Sequence, residues 1–498
     1  MPESPALALL LALFPSAAGS EEPPLWLVAT TAELAPAIEP LAARRREEGF
    51  AVHVATGGVA AALAASPRAP AYLLLVGDAA AGEEMAPWHV ASVERPLYRW
   101  IAFQRRTFAA DAAWGDLDGD GEPEIPVGRI PARTPEEVAI VVAKILAFED
   151  RPPSPADLRL VVWGGSPDYG PQMDRAATWL LLESLSSGAP PWLGLWAISG
   201  DAAHALCGWP ADQPARFTAE LAKGGLLGVL MGHATADSFH SMRHGPVDVG
   251  YAAQDARELF SAGGPAAPLV FFSCDSGDFA RPARCLAEEL LFLPGGPVAT
   301  IAATTNSHPL TNYFTSTSLL GLLAEGRTRL GDLWRDAQAH AARRRLSFLT
   351  LVPNQLKDVE GKLEEEIDVA QLQRDQLLMY ALLGDPATRL FFPVGPLAIE
   401  AVEAEDGWRW RAERPAGADR LFVAFRPAET PILRAPARLV AREEANRLLD
   451  AANAELGFAP LPSPAPDAPW EGTVERAGWL RVAAATPAGL RVGVVELR

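Results

Sequence analysis

The sequence predicts an α/β protein built on parallel sheet, followed by a smaller β-rich domain at the C-terminal end. Three observations lead to this prediction. Short apolar runs alternate with helical segments over residues 25–76, as in successive β-α-β units. A second series of short apolar runs begins near residue 158. From about Val394, alternating runs between turn residues replace the helical periodicity, which is typical of a β-sandwich.

The first unit contains three predicted strands and a well-marked final helix. The strands are residues 25–29, 51–55 and 72–76, and the helices between them are 33–48 and 59–65. Thr134, Pro135 and Glu137 form the N-cap, first helical position and capping box of a helix ending near Asp150. A proline-rich linker starting at Arg151 then separates the first α/β subdomain, residues 22–150, from the second, residues 151–395.

The second subdomain and the C-terminal domain follow in the same way. Strands are predicted at 158–163, 193–198, 226–231, 269–272 and 298–302, and helices at 174–185, 313–324, 333–346 and 357–368. Residues 379–383 then lead into a turn at 384–386. In the last domain, residues 396–498, strands are predicted at 408–412, 421–425, 479–483 and 490–497, around a helix at 442–455.

Composition and the N-terminal segment limit the partners and the location. A net charge of −19 argues against a nucleic-acid partner, because phosphate binding needs a basic surface. Residues 6–14 form an apolar block followed by small residues, so residues 1–20 are interpreted as a signal peptide although they contain no Lys or Arg. We therefore expect an exported protein, whether periplasmic, cell-surface or extracellular, with no membrane span. Its oligomeric state stays open.

A cysteine and a histidine end two of the predicted strands. The run 226–231 is followed by Gly232 and His233, and the run 269–272 by Ser273 and Cys274. Parallel strands deliver their carboxyl ends to one edge of a sheet, where open α/β proteins bind ligands. A thiol with an imidazole in reach is the minimum equipment of a thiolate nucleophile. The backbone N–H groups of Cys274 and Ala234 are candidates for stabilising an oxyanion.

An acidic turn lies earlier in the chain. Asp116, Asp118 and Asp120 alternate, and Gly121 follows them. Alternating carboxylates on a tight turn suit an oxygen-binding cation such as Ca²⁺, although the spacing is not that of an EF-hand. The turn is therefore a candidate structural calcium site, with a solvated acidic hairpin as the alternative.

These motifs together resemble the gingipain-like cysteine peptidases, which have a caspase-type fold. The resemblance rests on Gly232-His233 and the segment 273–279 (SCDSGDF), supported in the same order by segments 72–78, 114–131 and 383–386. It covers about residues 22–395. It implies a caspase-like three-layer sandwich in two α/β subdomains and an immunoglobulin-like C-terminal domain.

The resemblance also implies an activity. It implies a secreted cysteine endopeptidase that hydrolyses proteins or peptides with a Cys274–His233 dyad and needs no cofactor for the chemistry. Members that cleave after basic residues carry an acid that aligns with Asp111, so a preference for Arg or Lys at P1 is implied. The family usually has glycine where this chain has Ala234, and a left-handed backbone there would strain alanine.

Two alternatives stay open. One is an inactive exported binding module with the same fold, which the Ala234 departure favours. The other is a zinc hydrolase, because His233, His240 and His244 lie near Asp237 and Asp248. The glutamate of an HExxH motif is missing from this group.

Overall fold

The computed structural model describes residues 22–99, 106–168, 170–242, 248–261, 264–345, 367–428, 441–465 and 468–498. The predicted signal peptide and nearly all of the predicted helix at 357–368 lie outside these residues.

The secondary structure follows the predicted alternation. The first unit contains β1 (Leu25–Thr30), α1 (Ala35–Glu47), β2 (Ala51–Ala55), α2 (Val59–Ala65), β3 (Tyr72–Val76), β4 (Glu94–Pro96), β5 (Thr107–Ala109), β6 (Val127–Ile130) and α3 (Pro135–Asp150). The second contains β7 (Arg159–Gly164), α4 (Pro171–Gly188), β8 (Gly194–Ser199), α5 (Gln213–Ala222), β9 (Leu227–Met231), β10 (His233–Ala234), β11 (Phe239–Met242), β12 (Val249–Tyr251), α6 (Ala253–Ser261), β13 (Leu269–Phe272), α7 (Leu286–Leu291), β14 (Thr300–Ala303), α8 (Pro309–Leu322), α9 (Leu330–Ala342), α10 (Val369–Met379) and β15 (Tyr380–Leu383). The C-terminal part contains β16 (Gly395–Pro396), β17 (Ile399–Ala404), β18 (Gly407–Ala412), β19 (Arg420–Pro427), α11 (Arg442–Leu456), β20 (Ala459–Leu461), β21 (Glu471–Val474), β22 (Gly478–Thr486) and β23 (Gly489–Leu497).

One continuous ten-stranded sheet forms the centre of the molecule. Its order is β2-β1-β3-β6-β15-β14-β13-β9-β7-β8. Within each half the strands are parallel, and the two halves meet at an antiparallel pair, β14 with β15. The last strand of the α/β region thus returns to extend the first half, beside β6. The parallel sheet predicted from the sequence is confirmed.

Helices cover both faces of this sheet, because alternate residues of its strands point in opposite directions. In β1, Trp26 and Val28 belong to the large core that also contains residues of α1 and α3. Leu27 and Ala29 face a smaller core shared with α2. Burial on both faces explains why these strands are nearly continuous apolar runs. The arrangement is the three-layer sandwich that was predicted.

The C-terminal region contains two small sheets around a core of its own. The first sheet has the order β16-β23-β22-β19-β20 and the second β17-β18-β21, with mainly antiparallel pairing. Trp410, Leu480 and Val482 are among the buried residues between them. This matches the predicted β-sandwich. No helix in the described ranges is both long and apolar enough to span a membrane.

Candidate active site

Strand pairing brings the predicted cysteine and histidine to the same edge of the sheet. Strands β9 and β13 are parallel neighbours, and their last registered pair is Met231 with Phe272. His233 and Cys274 each lie two residues beyond that pair. The chain turns sharply after the cysteine, since Asp275 has a φ of 55°. His233 and Cys274 therefore lie just beyond the ends of two adjacent strands.

A backbone carbonyl orients the imidazole. The Nε2 atom of His233 lies 2.8 Å from the carbonyl oxygen of Pro167, in the loop after β7. A carbonyl can only accept a hydrogen bond, so Nε2 is the nitrogen that carries the proton in the neutral ring. The lone pair is then on Nδ1. Sequence reasoning did not find this partner, because it lies 66 residues away on another strand. Asp237, the nearest acid in sequence, pairs instead with Arg281 at 2.8 Å.

The thiol of Cys274 is in a partly buried environment that disfavours the thiolate. Burial, together with the negative charge of Asp275, raises the pKa of Cys274 to about 11. Its Sγ atom lies 3.6 Å from the carbonyl oxygen of Ser307, which follows β14. At neutral pH the sulfur is therefore a protonated thiol, and it needs a base to become a nucleophile.

A buried polar network lies behind the thiol. Tyr380 donates its hydroxyl proton to Oδ1 of Asn312 at 2.7 Å, and Nδ2 of Asn312 donates to Oγ of Ser307 at 2.8 Å. Gln376 also donates to Asn312, at 3.2 Å. These residues come from the loop after β14, from α8, from α10 and from β15, and only the fold brings them together. The network fixes the loop whose carbonyl contacts Cys274.

Ala234 adopts an ordinary strand conformation. It lies in β10, opposite Phe239 of β11. Among the described non-glycine residues, only Asp168 and Asp275 have a positive φ. The strain that a left-handed backbone would impose on alanine is therefore absent at this position. Since β10 follows β9 directly, the N–H of Ala234 stays a candidate oxyanion donor.

Asp111 is engaged by an internal partner. Its two carboxylate oxygens accept hydrogen bonds from Arg129, at 2.6 Å from Nε and 2.9 Å from Nη2. Both side chains are buried, and Arg129 also donates to the carbonyls of Gly77 and Val90. A carboxylate held at both oxygens is not available to a substrate guanidinium. This geometry argues against Asp111 as a substrate-binding residue, and it gives the residue a structural role.

The acidic turn gathers one carboxylate more than was predicted. Oxygen atoms of Asp116, Asp118, Asp120 and Glu124 all lie within 4.8 Å of one another. Backbone N–H groups of Gly119 and Gly121 donate to the two oxygens of Asp116, which orients that side chain. Four carboxylates with no nitrogen or sulfur donor fit a hard cation such as Ca²⁺.

The histidines of the zinc alternative do not form such a group in the described ranges. His240 lies opposite His233 in the β10/β11 pair, and its Nδ1 is 4.0 Å from Asp248. His244 lies outside the described residues. Across the described ranges, the only grouping of three or more metal-ligating side chains is the acidic turn.

A three-layer α/β sandwich with a cysteine and a histidine at adjacent strand ends is typical of a cysteine-type peptidase, and the protein is a hydrolase of this class. The model of peptidase family C25 matches residues 20–391. The chain belongs to this family, the gingipain family.

Solved structures agree on the fold. The Arg-specific cysteine proteinase gingipain R is 12% identical, with a TM-score of 0.54, and the match covers 96% of this chain and 99% of that one. A complex of the Porphyromonas gingivalis RgpB pro- and mature domains gives 12% identity and a TM-score of 0.53, with 95% and 100% covered. A structure described as a protease is 13% identical, with a TM-score of 0.54, and the match covers 96% of this chain and 98% of that one. No curated protein sequence matches.

Proposed function

We propose that the protein is an exported cysteine endopeptidase in which Cys274 is the nucleophile and His233 the general base. The observation that carries the proposal is the register of β9 and β13, which places both residues two positions beyond the same strand pair. The Nε2 contact of His233 with Pro167 supports it, because it leaves the basic nitrogen at Nδ1.

The proposed reaction follows from the thiol being neutral. His233 accepts the proton from Sγ as the sulfur attacks the carbonyl carbon of the scissile peptide. The N–H groups of Cys274 and Ala234 stabilise the oxyanion. The protonated imidazole then gives its proton to the departing amine, and a thioester is left on Cys274. Water, deprotonated by the same imidazole, attacks the thioester, releases the acid and restores the thiol.

A peptide-library digest tests this proposal. Cys274→Ala is expected to abolish peptide hydrolysis, because the sulfur that forms the thioester is gone. A thiol-reactive peptide probe is expected to label Cys274, and much more slowly in His233→Ala. Cys207→Ala is the matched control, since that thiol is buried and accepts a hydrogen bond from Gln213. Full turnover by the Cys274→Ala protein would rule out the mechanism.

The same digest also tests the predicted cleavage preference and the alternative of an inactive binding module. The preference for Arg or Lys at P1 stays a prediction, and the pairing of Asp111 with Arg129 does not favour Asp111 as the residue that carries it. If cleavage sites in the wild-type digest show no enrichment of Arg or Lys, the preference is wrong. Absence of both cleavage and labelling would favour the inactive binding module.

We also propose a structural Ca²⁺ held by Asp116, Asp118, Asp120 and Glu124. The proximity of their carboxylate oxygens supports it, because four negative charges so close repel one another unless a cation lies between them. Calcium added to chelator-treated protein is expected to raise the thermal midpoint, and Asp118→Asn to reduce that rise. A midpoint indifferent to calcium would identify the turn as a solvated acidic hairpin.

A further inference from the structure

A cavity whose lining includes neither residue of the candidate dyad lies where the C-terminal domain meets the edge of the central sheet. Its volume is about 510 Å³, within the usual range for small-molecule sites. Residues 194–196 of the edge strand β8 line one side, and residues of β19, β20 and β22 line the other. Much of the lining is apolar or aromatic, including Leu195, Trp196, Phe422, Phe458 and Leu461.

A buried arginine lines this cavity. Arg481, in β22, is 5% exposed and lines the cavity. Its Nη1 donates to the carbonyl oxygens of Leu158 and Trp192, at 3.3 and 2.9 Å. In the described part of the chain, the hydrogen bonds of the Arg481 side chain use Nη1 alone, and the side chain has no carboxylate within 4.0 Å. The Nε–Nη2 edge is the fork that binds a carboxylate through two parallel hydrogen bonds.

A second arginine adds to the positive charge. Arg426 in β19 is opposite Trp479, and Ala424 is opposite Arg481, so the two guanidinium groups lie on the same face of the sheet. Both stack against the ring of Phe458, at 4.8 and 4.3 Å. In the described ranges Arg426 has no carboxylate partner either. Burial and the charges of Arg426 and Arg159 lower the pKa of Arg481 to about 9.

The other ionisable groups of the lining are neutralised by neighbours. Arg159 pairs with Glu220 at 2.7 Å, and Asp450 pairs with Arg216 at 2.6 Å. The charges of Arg481 and Arg426 are thus uncompensated, in a protein whose net charge is −19. A buried cation without an anion is costly, and an anionic ligand would remove that cost.

We propose that this cavity binds a small organic carboxylate with an apolar body. The carboxylate pairs with the Nε–Nη2 edge of Arg481, and the charge of Arg426 strengthens the attraction. The apolar body fills the space between Leu195, Phe458 and Leu461. This binding does not use the Cys274–His233 dyad, so the proposal is tested independently of the peptidase mechanism.

Binding of benzoate to the full chain tests the proposal, with benzamide as the uncharged analogue of the same shape. Isothermal titration is expected to give one saturable site for benzoate and at least about tenfold weaker binding of benzamide, because the charge-assisted pair is lost. Arg426→Gln is expected to weaken benzoate binding several-fold. Arg476→Gln removes an equal charge from an exposed position of the same domain and is expected to change nothing.

Three results would overturn the proposal. They are the lack of saturable benzoate binding to the wild-type protein, equal affinity for benzoate and benzamide, and equal weakening by the Arg426 and Arg476 variants. Inorganic phosphate that displaces benzoate at comparable concentration would overturn the assignment to carboxylates. Because the comparison of benzoate with benzamide uses the wild-type protein, it tests the proposal even if a variant folds poorly.

Discussion

Burial is the largest influence on the protonation of two ionisable groups near the candidate site. Cys274 is kept neutral by burial and by Asp275, so its reactivity depends on the transfer of a proton to His233. The same effect acts on Glu288 of α7, which is fully buried and whose Oε2 accepts a hydrogen bond from the N–H of Cys285. Burial, reinforced by the charge of Asp78, raises the pKa of Glu288 to about 8.

This raised pKa predicts a pH-dependent stability. The ordinary pKa of an exposed glutamate is 4.5, so the folded protein holds the proton of Glu288 between pH 4.5 and about 8 while the unfolded chain releases it. Its contribution to stability is full below pH 4.5 and is lost as the pH rises towards 8. Glu288→Gln is therefore expected to stabilise the protein relative to wild type increasingly with pH, by at most about 1.4 kcal/mol per pH unit in that window.

Urea unfolding of both proteins at pH 5, 6.5 and 8 measures this difference. Glu289→Gln, at the half-buried neighbouring position, is the control and should show no trend. A Glu288→Gln difference that is constant with pH would mean that Glu288 is ionised in the folded protein.

At the scale of elements, the sequence predicts what local periodicity encodes. The strands β1, β2, β3 and β13 and the helix α2 lie where the apolar runs place them, to within one residue. The small sheet of β10, β11 and β12 was not predicted, because its strands are only two to four residues long. Of the candidate site, Cys274 and His233 could be found because each follows a buried strand. The Pro167 carbonyl and the network behind the thiol could not, because their partners are distant in sequence.

That network leads to a prediction about β15 and α8. Tyr380→Phe removes the hydroxyl that donates to Asn312, so the Oδ1 atom of Asn312 has one hydrogen-bond donor fewer. We expect a loss of about 1–2 kcal/mol in unfolding free energy. Because Asn312 holds Ser307, whose carbonyl contacts Cys274, we also expect a lower kcat with little change in KM.

Chemical denaturation and steady-state kinetics measure both effects. Tyr313→Phe makes the same chemical change on α8 at a half-buried position and should leave kcat as it is. If Tyr380→Phe lowers stability without touching kcat, the network supports the fold and not the thiol.

At the scale of the whole molecule, β15 joins the two halves of the sheet. It pairs with β14 of one half and β6 of the other, and Asp385 lies two residues beyond its end. Asp385 accepts hydrogen bonds from Trp26 of β1 at 3.0 Å and from Arg45 of α1 at 2.9 and 2.7 Å. Arg45 also pairs with Glu149 at the end of α3. Charged groups 340 residues apart in the sequence are thus paired in the interior of the fold.

This interior pairing predicts a large stability effect. Asp385→Asn keeps the shape and the acceptor for Trp26 but removes a negative charge beside Arg45, all of whose side chain is buried. Breaking a buried ion pair by changing one partner costs about 3–5 kcal/mol, and Glu149 and Glu48 remain to compensate Arg45, so we expect about 3 kcal/mol. Asp450→Asn, which breaks a largely exposed pair with Arg216, should cost at most about 1 kcal/mol.

Equilibrium unfolding in urea compares the stability losses of the Asp385 and Asp450 variants. Equal, small losses would show that β15 is held by its strand pairing alone. A loss confined to Asp385→Asn would show that the two halves of the sheet depend on a charge contributed from the far end of the α/β region.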